Sequence, residues 1–216
     1  LTNTLAGRAG IDVCLHLDHT SDIPTIFRAI RAGFGSVMYD GSTLPFEENL
    51  LNTKLVCDVA HASGVSVEAE LGSLAAGYQS HEGTADDREV YTSPKQAAKF
   101  VKETNVDALA VSIGTVHGLY KGTPNVRIDI LQEINKACNI PLVLHGGSGL
   151  PEEIIRESIQ NGISKINVNT EISIYTVKQI KTLLDKKTPH LSVLSKTEEK
   201  AVKEVVGKYI AFFQAR

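Results

Sequence analysis

Six apolar, strand-like runs alternate with helix-like stretches along the 216 residues of this chain, and this order predicts an α/β fold, a (β/α)8 TIM barrel. The strands are apolar at nearly every position, which is typical of a parallel sheet covered by helices on both faces. Polar residues of the kinds that bind ligands follow the strands, at the end where such a barrel carries its active site. Together these three features favour the barrel over other α/β folds.

The strands and helices are marked by their composition and by the residues at their ends. Strands are predicted at residues 12–17, 35–39, 65–71, 107–113, 141–145 and 164–168. Residues 21–24 and 92–94 each place a capping residue ahead of an early proline, a common way to begin a helix. Helices are predicted to end at Gly33, Gly64 and Gly162, and two further helices are predicted over residues 171–187 and 196–213.

The number of units predicts a barrel that is incomplete at its N-terminus. The fold normally has eight βα units in about 250 residues, whereas six units are visible here. The first one or two units are therefore predicted to be missing ahead of residue 1, and residues 1–216 form a single domain. A doubly wound open sheet is the alternative, but the Gly-x-Gly-x-x-Gly turn of that fold does not follow the first predicted strand.

Composition argues against several classes of function. The formal net charge of −3 leaves no basic surplus for binding nucleic acid. No apolar run approaches the roughly 20 residues that a membrane helix needs. Cys14, Cys57 and Cys138 form no Cys-x-x-Cys pair, and we expect them to be buried thiols, which favours a reducing, cytoplasmic setting.

Three histidines, His19, His117 and His145, each stand at the end of an apolar, strand-like run. If the strands lie side by side, the three imidazoles converge at one rim of the barrel. Three neutral imidazoles around a divalent ion, with one position left open, describe a catalytic zinc site. Asp18 lies beside the first of them, where a proton-transfer group would be useful. His16 is interpreted instead as an interior, hydrogen-bonded histidine.

A glycine-rich turn predicts a phosphate site at the same rim. Gly146, Gly147 and Ser148 precede a helix that begins near Pro151, and glycine lets backbone N–H groups approach an anion. Barrels often bind phosphate after the strands of their last two units. Three polar residues close the next strand of this chain: Asn167, Asn169 and Thr170.

The segment 72–92 is too long for an ordinary connection. It is rich in glycine, alanine, serine and acidic residues and has no periodicity. A loop of about 20 residues is uncommon in a compact domain and is usually functional, so the segment is predicted to be a mobile active-site loop. A disordered surface insertion is the alternative.

Six motifs resemble those of the class II, zinc-dependent ketose-bisphosphate aldolases, the fructose- and tagatose-bisphosphate aldolase family. They lie in family order at residues 15–19 (Leu-His-Leu-Asp-His), 38–42 (Met-Tyr-Asp-Gly-Ser), 67–72 (Val-Glu-Ala-Glu-Leu-Gly), 114–120 (Gly-Thr-Val-His-Gly-Leu-Tyr), 144–149 (Leu-His-Gly-Gly-Ser-Gly) and 165–170 (Lys-Ile-Asn-Val-Asn-Thr). The resemblance implies a barrel enzyme that reversibly cleaves fructose 1,6- or tagatose 1,6-bisphosphate into dihydroxyacetone phosphate and glyceraldehyde 3-phosphate, through a metal-stabilised enediolate. It also implies a homodimer or homotetramer.

The resemblance further implies roles for individual residues. Zinc is expected on the three histidines, with Asp18 as the catalytic acid/base. Asp40 and Glu70 match positions that hold a second or alternate metal in some members, and a monovalent cation is a further candidate cofactor. The substrate- and phosphate-binding stretches of the family match Gly118, Lys121, Gly146, Gly147, Ser148, Asn167, Asn169 and Thr170.

The loop after residue 72 departs from the family pattern. Family members usually continue into a Gly-Gly-x-Glu-Asp motif, whose glutamate handles a proton on the enediolate side. Residues 73–83 read Ser-Leu-Ala-Ala-Gly-Tyr-Gln-Ser-His-Glu-Gly, and Glu82 is the candidate replacement for that lid acid. Three alternatives stay open: an enzyme for another keto-sugar phosphate, a catalytically impaired sugar-phosphate-binding homologue, and a zinc hydrolase.

Overall fold

The structure, a computed structural model, describes residues 2–77, 90–120 and 122–214. Its strands are β1 (His16–Leu17), β2 (Ser36–Tyr39), β3 (Ser66–Leu71), β4 (Ala75–Ala76), β5 (Ala108–Val111), β6 (Val116–His117), β7 (Leu142–Leu144) and β8 (Ile163–Ile166). Its helices are α1 (Thr2–Ala9), α2 (Ile23–Arg31), α3 (Phe46–Ala62), α4 (Pro94–Thr104), α5 (Ile128–Cys138), α6 (Glu152–Gln160), α7 (Thr170–Leu184) and α8 (Leu191–Gln214). None of these helices has the length and apolar composition that crossing a membrane requires.

Six of the strands form one parallel sheet in the order β1-β2-β3-β5-β7-β8. The register places Val37 opposite Val67 and Leu109 opposite Leu142. Among the described strands the order follows the chain without reversal, as it does along the wall of a barrel. A doubly wound sheet reverses its strand order at the point where its ligand binds, so the structure excludes that alternative.

Both faces of this sheet are covered. Val37, Met38 and Tyr39 of β2 are at most 1% exposed, although successive side chains of a strand point to opposite faces. Ile26 of α2 and Phe100 of α4 are fully buried against the outer side. Burial on both sides explains why the strand sequences are apolar at nearly every position.

The helix ends predicted from capping residues, early prolines and glycines are confirmed, whereas α7 ends three residues before the predicted 187 and α8 begins five residues before the predicted 196. The carboxylate of Asp22 accepts a hydrogen bond from Thr25 N at 2.9 Å, and the Ser93 hydroxyl accepts one from Gln96 N at 3.5 Å. Both helices have a proline within their first two positions. Glycines with positive φ, a conformation that costs glycine little, follow three helix ends: Gly33 at 88°, Gly64 at 69° and Gly162 at 115°.

The first strand is shorter than the predicted run 12–17. Only His16 and Leu17 pair with β2. Cys14 was expected to be buried and is exposed, because it precedes this pairing at an edge of the described sheet. Cys57 and Cys138 are buried, as predicted.

The described ends of the segment 72–92 are attached to the rest of the protein. β4 pairs in parallel with β6, and Ser73 forms an antiparallel bridge with Val90. The sequence does not predict this pairing, since two-residue strands have no periodicity. Residues 78–89, which include Glu82, lie outside the described residues, so the mobile loop stays a prediction.

Candidate active site

Three imidazole rings meet at the carboxyl end of the sheet: His19 after β1, His117 at the end of β6 and His145 after β7. The ring centroid of His19 lies 5.1 Å from that of His117 and 4.5 Å from that of His145. One ring nitrogen of each histidine lies within 4.8 Å of the other two. His19 Nε2, His117 Nε2 and His145 Nδ1 are all buried. The structure therefore brings together the three histidines that the sequence predicts as metal ligands.

His19 is held in an uncommon backbone conformation. Its φ is 40°, in the left-handed region that costs a non-glycine residue about 1–3 kcal/mol and that is often found at functional sites. Its Nδ1 lies 2.9 Å from Asp40 Oδ2. Burial would lower the pKa of His19, but the hydrogen bond with Asp40 and the charges of Glu70 and Asp18 together outweigh burial and raise it. Asp40 thus fixes the ring through Nδ1 and leaves Nε2 as the nitrogen that could bind a metal.

His145 lies between two buried carboxylates of β3. Its Nε2 donates to Glu68 Oε1 at 2.9 Å, and its Nδ1 lies 3.0 Å from Glu70 Oε2. The two glutamates lie on one face of the strand because they are two positions apart. Burial would lower the pKa of His145, but the two carboxylates outweigh burial and raise it to about 10. In the protein without metal, His145 is therefore a buried cation at neutral pH.

Asp18 reaches from the sheet toward solvent, with 43% of its side chain exposed. Asn167 Nδ2 lies 3.1 Å and 3.2 Å from its two carboxylate oxygens, and Lys165 Nζ lies 4.0 Å away. Burial would raise the pKa of Asp18, but the bond to His16 and the charges of His19 and Lys165 outweigh burial and hold the pKa well below its usual range. Asp18 is therefore an ionised carboxylate at neutral pH, able to accept a proton.

His16 has the interior, hydrogen-bonded position that the sequence predicts. Its Nδ1 lies 2.8 Å from Ser36 Oγ, and its Nε2 lies 3.6 Å from both Asp18 Oδ1 and Glu68 Oε2. His16 therefore lies behind the three-histidine cluster rather than in it.

Glu68 belongs to the candidate site but is not predicted from the sequence. Its side chain is 3% exposed, and one carboxylate joins His145 Nε2 at 2.9 Å to Lys165 Nζ at 2.9 Å. Lys165 in turn donates to Asn167 Oδ1 at 2.7 Å. The signal in the sequence is the pair of acids within the mostly apolar run 65–71, because a buried charge requires partners.

A cavity of about 330 Å³ opens beside Asp18 and His117. Most of the residues predicted to bind substrate or phosphate line it; the full lining is Asp18, His117, Gly118, Gly146, Ser148, Ile166, Asn167, Val168, Asn169 and Thr170. Gly147, which is also predicted to bind phosphate, is not among these lining residues. Lys121 and Glu82 fall outside the described residues, so their roles stay predictions.

Close packing explains the two glycines of the turn after β7. A Cβ on Gly146, whose φ is 71°, would lie 2.2 Å from Val116 O, and one on Gly147 would lie 2.5 Å from Ile166 Cγ2. Larger residues would push the turn away from β6 and β8. Glycine therefore allows the backbone of the turn to lie at the mouth of the cavity.

The two acidic residues predicted for a second metal lie against the same cluster. His19, Asp40 and Glu70 each offer one atom within 4.8 Å of the other two. His61 lies far from this group, in α3, with its Nε2 2.8 Å from Asp107 Oδ2. Of the sequence-predicted acids that the structure describes, Asp18, Asp40 and Glu70 are thus all within the candidate site.

Comparison with known proteins places the chain in a family. The family model described as fructose-bisphosphate aldolase class-II matches residues 1–216, and the chain belongs to this family. It is 42% identical over 205 residues to a protein of Bacillus subtilis (strain 168) named probable fructose-bisphosphate aldolase, covering 94% of this chain and 71% of that protein. It is 46% identical over 175 residues to the fructose-bisphosphate aldolase of Staphylococcus aureus (strain Mu50 / ATCC 700699), covering 81% of this chain and 60% of that protein.

Solved structures confirm the predicted barrel class. The YdjI aldolase from Escherichia coli K12 superposes with a TM-score of 0.84 at 36% identity, covering 98% of this chain and 73% of that chain. Fructose-bisphosphate aldolase from Campylobacter jejuni has a TM-score of 0.79 at 24% identity, covering 97% of this chain and 73% of that chain; this second likeness concerns the fold alone.

Proposed function

We propose that the protein is a zinc-dependent aldolase that reversibly cleaves fructose 1,6- or tagatose 1,6-bisphosphate into dihydroxyacetone phosphate and glyceraldehyde 3-phosphate. The observation that carries this proposal is the cluster of His19, His117 and His145, whose ring nitrogens lie within 4.8 Å of one another beside the ionised Asp18. Membership of the class II family supports it.

The donor set fits zinc. Three imidazoles with no thiolate among them are typical of a catalytic rather than a structural zinc site. The rings are oriented by carboxylates, with Asp40 on His19 and Glu68 on His145, as is usual for metal-binding histidines. The three histidines would hold the ion. When bound, zinc would supply Lewis-acid chemistry that stabilises the negative charge developing next to the ketone.

Asp18 is proposed as the acid/base of the reaction. Breaking the carbon–carbon bond requires removal of a proton from the hydroxyl group on the far side of that bond. Asp18 lines the cavity and is ionised, so it can take this proton and return it in the aldol direction. Asn167 holds both carboxylate oxygens and so orients them. No lysine is needed to form a Schiff base in this scheme.

The phosphate groups are proposed to bind where the turn 146–149 meets the beginning of α7. Ser148 Oγ accepts hydrogen bonds from Asn169 N at 3.2 Å and Glu171 N at 3.3 Å, so the turn and the helix start form one unit. A helix N-terminus favours an anion through its N–H groups and its dipole. Gly146 and Thr170 line the cavity at this point.

Further proposals rest on family membership. They are a second or alternate metal position at Asp40 and Glu70, a monovalent cation, substrate contacts from Gly118 and Lys121, a homodimer or homotetramer, and a cytoplasmic location. For the lid acid, Glu82 is the proposed residue.

A cleavage assay on the zinc-loaded protein with a panel of ketose phosphates tests the function, with dihydroxyacetone phosphate as the detected product. We expect turnover of a ketose bisphosphate that is lost with a chelator and restored by zinc. Release of inorganic phosphate without carbonyl fragments would point to a hydrolase. Tight binding of a substrate analogue without cleavage would favour an impaired homologue, which the missing Gly-Gly-x-Glu-Asp motif also suggests.

Replacing Glu68 by glutamine is expected to weaken zinc binding by about 10- to 100-fold, the usual cost of losing an orienting partner of a metal ligand. Glutamine preserves the volume but removes the charge shared by His145 and Lys165. Competition with a chromophoric chelator measures the affinity. Glu47→Gln is the matched control, because it makes the same change at the carboxylate of the exposed Glu47–Lys99 pair. Equal affinity in the Glu68 variant and this control would contradict the role of Glu68.

Zinc binding is expected to release protons. Carboxylates raise the pKa of His19 and bring that of His145 to about 10, so a proton occupies the metal-binding nitrogen of His145 near neutral pH and must leave when the ion binds. The affinity should rise with pH between 7 and 9, by about tenfold per pH unit for each proton released. Calorimetry in buffers with different ionisation enthalpies counts these protons. A binding enthalpy that does not depend on the buffer would contradict the expectation.

A further inference from the structure

The last helix touches the turn that we propose to bind phosphate. Tyr209 of α8 is 4% exposed, and its hydroxyl donates a short hydrogen bond to Glu171 Oε2. The backbone N–H of Gly149 points at both partners, 3.2 Å from Tyr209 Oη and 3.2 Å from Glu171 Oε2. One end of the turn 146–149 is thus attached to a side chain of α7 and a side chain of α8.

Glu171 contacts the turn a second time through its own backbone, since its N–H donates to Ser148 Oγ at 3.3 Å. Neither Glu171 nor Tyr209 lines the cavity. The two residues therefore act on the turn from behind, and they hold Ser148 and Gly149 in a fixed relation to the first turn of α7.

The carboxylate of Glu171 lies close to a site proposed for an anion, where an uncompensated negative charge would repel phosphate. Three donors surround it: the Tyr209 hydroxyl, the Gly149 N–H and Lys208 Nζ, the last at 3.3 Å. Burial would raise the pKa of Glu171, but these partners outweigh burial and lower it. The carboxylate is therefore ionised and accepts hydrogen bonds, and its negative charge is compensated by the ammonium group of Lys208.

We propose that Tyr209 and Glu171 are positioning residues that fix the turn 146–149, so that the C-terminal helix α8 sets the affinity of the site for the phosphate group of the substrate. This inference rests on the proposed function, which makes that turn a phosphate site. The Tyr209 hydroxyl is the group that transmits the position of α8, since it contacts both Glu171 and Gly149.

Tyr209→Phe removes this hydroxyl and keeps the ring in the core. We expect KM for the ketose bisphosphate to rise about 5- to 20-fold, because one or two hydrogen bonds that hold the binding site are lost. The value of kcat should stay within about twofold of that of the unaltered protein. The dissociation constant of inorganic phosphate should rise by the same factor as KM, and the zinc content should not change. Tyr175→Phe is the matched control, because Tyr175 lies on α7 and its hydroxyl bonds Glu204 instead.

Glu171→Gln provides a second variant, in which an amide oxygen still accepts from Tyr209, and we expect a smaller loss of phosphate affinity than in Tyr209→Phe. Thermal unfolding shows whether each variant is folded. The inference would be overturned if folded Tyr209→Phe had the same phosphate affinity and the same KM as Tyr175→Phe. It would also be overturned if the unaltered protein did not bind phosphate. Phosphate binding needs no turnover, so a protein whose phosphate affinity depends on Tyr209 but that cleaves no ketose phosphate would refute the proposed function and keep this inference.

Discussion

Asp18→Asn is expected to lower kcat for ketose-bisphosphate cleavage by about 10²–10⁴-fold, the usual contribution of a positioned acid/base. Asparagine is nearly isosteric with aspartate, so it keeps the contact with Asn167 but cannot take a proton. The three histidines are unchanged, and zinc content measured by atomic emission should therefore equal that of the unaltered protein. Steady-state kinetics on the zinc-loaded variant measure the loss.

Asp58→Asn is a suitable control, because Asp58 forms an exposed ion pair with Lys54 on α3, where exposed pairs contribute little to stability. Its kcat should be unchanged. If Asp18→Asn instead loses its zinc, Asp18 is a metal ligand and the base must be sought elsewhere. Full activity in the variant would remove Asp18 from the mechanism.

His117→Ala is expected to lose both zinc and activity. The variant would hold zinc with two imidazoles, and a water would replace the third, whereas a catalytic zinc site typically has three protein ligands. We therefore expect the zinc affinity to fall by more than about 100-fold, which exceeds the usual cost of losing a residue that only orients a ligand. Zinc stoichiometry after gel filtration and kcat/KM should fall together.

His190→Ala controls for the loss of a histidine, since His190 is exposed and its ring bonds Ser192, outside the three-histidine cluster. Its zinc content should be normal. A His117 variant that keeps full activity after treatment with a chelator would refute the metal role of the cluster, and with it the proposed chemistry.

The parts of the fold that follow local rules were predictable from the sequence. Strands buried on two sides are apolar throughout, and β2 and β5 lie within the predicted runs for this reason. Helix ends depend on a capping side chain or a positive-φ glycine close in sequence, as at Asp22 and Gly64. Such signals need no knowledge of the tertiary structure.

The candidate site was predictable to the extent that it lies at strand ends. His19, His117 and His145 could be grouped because the carboxyl ends of parallel strands share one rim. The role of Glu68 could not be predicted in this way, because it depends on contacts with His145 and Lys165 across the sheet. Which side chains touch across a sheet depends on the three-dimensional arrangement of the strands and not on the spacing of residues along the chain. The pairing of β4 with β6 was missed because it carries no composition signal.

The three-histidine cluster has a consequence for stability as well as chemistry. Its imidazoles come from three separate βα units, so an ion held by all of them would join remote parts of the polypeptide in the manner of a cross-link. Such a link lowers the entropy of the unfolded chain most when the enclosed loops are long, and an ion that binds only the native state shifts the folding equilibrium toward it. A bound ion would then raise the free energy of unfolding by holding three separate units together at the mouth of the barrel.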